Sequence, residues 1–117
     1  MERTAALDAF SALSNGTRLD LLRLLVVAGP EGLAAGEIAR RLGMSASRLS
    51  FHLAAIEQAG LARGRRAGRS VIYAADMDGI DAVIGWLMRD CCAGRATAPL
   101  PLPDPGPAAE AHELDGG

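Results

Sequence analysis

Aromatic side chains are scarce in this chain. Two Phe, one Tyr and one Trp make up 3% of it, although half of the sequence is apolar. The core therefore has to be built from Leu, Ile, Val and Ala, which favours helix packed on helix. Lysine is absent and every basic residue is Arg, a bias that codon usage can produce and that carries no functional reading. The two cysteines, Cys91 and Cys92, are too few for a disulfide framework and are expected to be thiols in a reducing cytosol. No apolar run is long enough to span a membrane; Leu21 to Ala28 is short and contains Arg23. The start, MERTAALDAF, lacks a cationic segment followed by an apolar block, so no secretory signal is expected and a cytoplasmic protein is. Enzyme signatures are missing too. There is no phosphate loop, and the segment expected to fold holds one histidine, His52. Ser50 and His52 point different ways on a helix.

What is present is segregated charge. The net charge is −2 and the pI about 5.6. Yet Glu37 to Tyr73 holds seven arginines (40, 41, 48, 63, 65, 66 and 69) against Glu37 and Glu57, a local balance of +5. After Arg95 come Asp104, Glu110, Glu113 and Asp115 with no base. Salt screens charges beyond about 10 Å, so the local cluster outweighs the total.

The periodicity predicts a mainly α fold with a small β-hairpin, in the order α-α-α-α-β-β-α. The first helix covers Thr4 to Leu13, with Ala5, Leu7, Phe10 and Leu13 on one stripe. Asn15 or Thr17 caps a second helix to about Ala28, whose LDLLRLLVVAG is apolar nearly all round and suits a buried centre. Gly29-Pro30-Glu31-Gly32 is a stop. A short helix, Ala35 to Leu42, presents Ile38, Ala39 and Leu42 to the core. Gly43 turns the chain, and Ser45 caps a helix to about Ala59 ended by Gly60. Leu61–Arg66 and Ser70–Ala75 read as strands around Ala67-Gly68-Arg69. Asp76 or Asp78 caps a last helix to about Cys92, with Ile80, Val83, Ile84 and Leu87 on one face. Residues 1–95 form one folded unit on this reading. Residues 96–117, rich in Pro, Ala, Gly and acid, are expected to be disordered.

Helix, tight turn, longer helix and basic hairpin in direct succession is what a winged helix-turn-helix needs to place one helix in the major groove of double-stranded DNA. Leu49, Leu53 and Ile56 face the core at helical spacing. Ala46, Ser47, Ser50 and Phe51 then face away, with Arg48 at the edge. Phe51 suits a thymine methyl, and Arg48 a guanine or a phosphate. His52 bonds a phosphate or braces the domain. Arg63, Arg65, Arg66 and Arg69 tip the hairpin, where a wing grips phosphates or enters the minor groove.

At these residues the chain resembles the ArsR/SmtB metalloregulator family. LSNGTRLDLLRLL, GEIARRLGMSASRLSFHLAAIEQAGL and GRRAGRSVIYAA look like its three signature blocks, and the likeness runs from about Ala5 to Cys92. It implies a homodimeric winged-helix repressor that binds an inverted-repeat operator and leaves it when an effector binds. It implies a dimer interface from the first and last helices. It also implies DNA contacts from the stretch Ser45, Ala46, Ser47, Arg48, Ser50, Phe51 and His52, and from the wing residues Arg65 to Arg69, including Arg66.

The family's effector sites differ in place. The arsenic site on the helix before the recognition helix needs cysteines, and LAAGEIARR has none. The zinc site on the last helix needs His, and DMDGIDAVIGWLMRD offers only Asp76, Asp78 and Asp81. Cys91-Cys92 remains. Adjacent thiolates share a soft ion more readily than they form a strained disulfide, and WLMRDCCAG resembles an ArsR subgroup that binds trivalent arsenic with a vicinal pair. No third cysteine follows, which suits methylated As(III), with arsenite and Sb(III) as related effectors. A thiol redox switch is the competing function, and an interaction module without effector a further one. His112 is expected to be inert.

Overall fold

The computed structural model describes residues 1–89. Cys91, Cys92, the end expected for the last helix and the acidic tail lie outside the described residues. Five helices and three strands follow in the order α1 (Arg3–Leu13), α2 (Gly16–Ala28), β1 (Leu33–Ala34), α3 (Ala35–Leu42), α4 (Ala46–Gln58), β2 (Ala62–Ala67), β3 (Ser70–Ala75) and α5 (Met77–Met88). The mainly α, winged helix-turn-helix architecture expected from the periodicity is thus observed, with one addition.

That addition is β1. It pairs antiparallel with β3, Leu33 opposite Tyr73 and Ala34 opposite Ile72, giving a three-stranded sheet of order β1-β3-β2. The expected hairpin is therefore the outer part of a larger sheet. β3 lies in its middle, which explains why Val71 to Ala75 are all half-buried rather than alternating between core and solvent.

The core is aliphatic, as the shortage of aromatics requires. Leu21 and Leu25 of α2, Ile38 of α3, Leu49, Leu53 and Ile56 of α4, and Leu61 are fully buried. At roughly 1.5–3 kcal/mol per buried aliphatic side chain, this cluster supplies most of the drive that fixes α4 on α2 and α3. Local signals set the ends. Asn15 Oδ1 accepts from the Arg18 amide at 3.1 Å to cap α2, and Ser45 Oγ from the Arg48 amide at 3.2 Å to cap α4. Asp76 caps α5 by accepting from the Gly79 amide at 3.0 Å. Gly43 closes α3 at φ 64, left-handed backbone that costs glycine little.

The structure assigns the faces of two helices, leaving Leu7 and Phe10 of the expected α1 stripe in solvent and α2 less central than expected. In α1 the buried residues are Ala6, Ala9 and Ala12, while Leu7 and Phe10 point outward, 52% and 42% exposed. Small residues at the contact let α1 approach the core closely and leave its large side chains free. In α2 Leu21, Leu22 and Leu25 are buried, but Val26 and Val27 are exposed, so this helix is central on one side only.

Candidate nucleic-acid interface

The turn between α3 and α4 is tight, and each of its residues has a task. Leu42 ends α3, Gly43 reverses the chain, Met44 packs against the core, and Ser45 caps α4. Leu49, Leu53 and Ile56 bury one side of α4. The other side is left to solvent: Ala46, Ser47, Arg48, Ser50 and Phe51 are all exposed, and Phe51 is 64% exposed. Ser45 Oγ and Ser47 Oγ lie 3.4 Å apart at its N-terminal end. A helix with short hydroxyls, an arginine and one uncovered aromatic on its free face fits a groove lined by phosphates and base edges.

His52 stands apart from this face. It is buried, 7% exposed, and its Nδ1 accepts a hydrogen bond from Arg18 Nε at 3.2 Å. Of the two roles the sequence left open, the geometry is that of a brace between α2 and α4. Burial first, then the nearby charges of Arg18 and Arg48, push its pKa below the ordinary 6.5. The neutral ring is the form that can accept from Arg18. Arg18 also lies over the Phe51 ring, its Cζ 5.4 Å from the centroid, and Phe51 meets His52 edge-on at 5.4 Å. Sequence reasoning did not place Arg18 here, because no local pattern joins residues 34 positions apart.

The +5 patch divides once partners are assigned. Glu37 accepts from both Arg40 and Arg41, the latter at 2.7 Å, and the Arg41 bond leads in holding its carboxyl below the usual range. Arg63 Nε lies 3.6 Å from Asp76 Oδ2. Arg65 donates to the Glu31 carbonyl at 3.3 Å, which anchors the wing to the turn before β1. Arg48 on α4, and Arg66 and Arg69 at the exposed end of the hairpin, have no carboxylate within salt-bridge distance among the described residues. Gly64 gives the wing room for the Tyr73 ring, which lies where a side chain on Gly64 would go.

No group of three or more His, Cys, Asp or Glu among the described residues could hold a metal ion, and none of their helices is long and apolar enough to cross a membrane. The helix pair, its free face and the arginine-tipped wing define a winged helix-turn-helix DNA-binding protein. Residues 13–65 match the family model of a helix-turn-helix domain. The HTH-type transcriptional regulator YgaV of Escherichia coli K12 is 35% identical over 91 residues, 78% of this chain and 88% of that protein. The transcriptional activator HlyU of Vibrio cholerae is 33% identical over 94 residues, 79% of this chain and 84% of that protein. A structure of its reduced form superposes with a TM-score of 0.59 at 32% identity, covering 76% and 90% of the two chains. An ArsR-like transcriptional regulator from Rhodococcus sp. RHA1 gives a TM-score of 0.65 at 29% identity, covering 74% and 78%. The chain belongs to the ArsR-like family of helix-turn-helix transcriptional regulators.

Proposed function

We propose that this protein is a homodimeric repressor that leaves its operator when a trivalent arsenical binds Cys91 and Cys92. The observation that carries the DNA-binding half is the free face of α4, with Phe51 largely exposed. Arg48 on that face, and Arg66 and Arg69 on the wing, have no acidic partner among the described residues. The dimer reading is supported by large apolar side chains left in solvent on α1 and α5: Leu7, Phe10, Ile84 and Leu87. A second subunit would cover them and set two α4 helices about 34 Å apart, one turn of duplex.

The effector half rests on chemistry and on position in the sequence. Cys91 and Cys92 are the chain's only cysteines, and they follow α5 within four residues. Each thiol displaces one hydroxyl of methylarsenite as water, so CH3As(OH)2 and two thiols give a dithiolate and two waters. The third arsenic bond is already held by carbon, which matches a pair without a third cysteine. Arsenite or antimonite would keep one hydroxyl or take a further thiol. Binding in the segment that follows α5, a proposed dimerisation helix, would alter the spacing of the two α4 helices. A coupling of about 1–3 kcal/mol suffices to shift operator occupancy.

A thiol redox switch is the second reading. It draws on the same vicinal pair, and on HlyU having a structure specified as that of the reduced protein. One titration separates the two. The protein is bound to the promoter duplex upstream of its own gene, and arsenite, methylarsenite, antimonite, zinc or peroxide is added while anisotropy is followed. Methylarsenite or arsenite should release the wild type and spare the Cys91→Ser, Cys92→Ser double variant. Release of that variant by arsenicals rejects the site, and release by peroxide alone selects the redox reading. Reporter expression, with and without the protein, distinguishes repression from the activation for which HlyU is named.

A further inference from the structure

We propose that Arg18, which lies on α2 outside the helix-turn-helix, contacts the DNA backbone, and that His52 is its positioning residue. This rests on the DNA-binding reading above and adds a residue to it. Arg18 sits in the first turn of α2, yet its guanidinium is held by α4: Nε bonds His52 Nδ1 at 3.2 Å, and Cζ lies over the Phe51 ring, 5.4 Å from its centroid. Phe51 belongs to the free face of α4 and is 64% exposed. The charge is therefore carried to the edge of the surface that meets the duplex.

Among the described residues the remaining donors of Arg18 are unspent. A guanidinium has five N–H groups, and the bond to His52 uses the one on Nε. Among the described residues no carboxylate pairs with Arg18, whereas Glu37 takes Arg40 and Arg41, and Asp76 takes Arg63. A structural arginine whose task was only to tie α2 to α4 would be expected to find an acid. This one is tied by a neutral ring and an aromatic face, both of which leave its full positive charge in place. Two Nη groups held in a fixed plane match two oxygens of one phosphate. Burial favours the neutral form of His52, the form whose Nδ1 can accept from Arg18 and hold the guanidinium in place.

The test uses the full-length protein and two duplexes, the operator and a scrambled sequence of equal length, over a series of salt concentrations. Arg18→Gln should weaken binding to both by roughly tenfold for each protomer, the worth of one charge-assisted bond per subunit. It should also flatten the plot of log K against log salt by roughly 0.9 for each phosphate left without its arginine. Arg18→Lys should keep the slope but lose several-fold in affinity on both duplexes, because the fork is gone. His52→Asn, which retains an acceptor near the Nδ1 position, should bind close to wild type, and His52→Leu should weaken both duplexes without changing their ratio. An unchanged slope in Arg18→Gln with a lowered melting temperature makes Arg18 a brace and overturns the inference. Weakening confined to the operator overturns it as well, since a phosphate contact does not read sequence. Should Arg18→Gln fail to fold, wild-type affinity in Arg18→Lys overturns it. If the wild type binds neither duplex, the DNA-binding reading fails first and takes this one with it.

Discussion

The carbonyl oxygen of Gly60, at the end of the recognition helix, occupies the space that a Cβ on Gly79 would need. Gly79 lies in the first turn of α5, and its amide is spent on the Asp76 cap. The two glycines therefore fix how closely the start of α5 approaches the end of α4. Gly79→Ala should destabilise the fold by roughly 1–3 kcal/mol through overpacking, despite the better helix propensity of alanine. Gly36→Ala, in α3 with open space around it, should lose nothing and gain up to about 1 kcal/mol. Urea unfolding midpoints of the two variants give the comparison.

Acid should loosen the protein through His52. Its folded pKa lies below the ordinary 6.5 because burial and two arginines oppose a further positive charge. The unfolded chain then takes up the proton first. Stability is at its full value above about pH 6.5 and falls as pH drops from there toward the lower folded value. The melting temperature should decline across that window in wild type and decline less in His52→Asn. Equal slopes in the two proteins would place the acid sensitivity elsewhere.

The wing arginines should differ in kind. Arg66 and Arg69 lack acidic partners among the described residues. Replacing both with Gln should flatten the salt dependence of operator binding by roughly 0.9 for each phosphate that either one neutralises, counted in both protomers. Arg63 already faces Asp76 at 3.6 Å and is largely exposed. Arg63→Gln should change the slope little, and stability by less than about 1 kcal/mol, as for most surface ion pairs.

Leu7 and Ile84 are each more than half exposed, 52% and 54%. A glutamate at either position would place a charge where the proposed partner subunit packs. Leu7→Glu and Ile84→Glu should shift sedimentation toward a monomer and cut operator affinity, while leaving the far-ultraviolet circular dichroism of the monomer intact. A dimer that persists in both variants puts the interface on another face.

The recognition helix is legible in the sequence because its signals are local. Ser45, Gly43 and the spacing of Leu49, Leu53 and Ile56 are read within one or two turns, and the limits of α3 follow from its neighbours. β1 is not legible. Two residues carry no alternation, and its partner strand lies almost forty positions further on. The inward face of α1 escapes the pattern because alanine fits either side of a helix, so the larger Leu7 and Phe10 draw the stripe toward themselves. The charge count is right as arithmetic and incomplete as physics: Glu37 meets Arg40 and Arg41 at local helical spacing, but Asp76, outside the counted stretch, meets Arg63 only in three dimensions. Arg18 shows the same limit: its two partners are distant in sequence and adjacent in space.

β1 passes directly into α3 without a single intervening residue, and β3 is hydrogen-bonded to both β1 and the wing strand β2. The helix pair and the wing consequently share one frame, like a stencil cut to a single groove shape. Within a subunit neither can be re-aimed without breaking the sheet. Any misfit between one subunit and its half-site then has to be absorbed by the duplex. Bending or narrowing DNA costs energy that depends on its sequence, including base pairs the protein never touches. Operator choice by this protein should therefore depend on duplex compliance as well as on the few side chains of α4 that meet base edges.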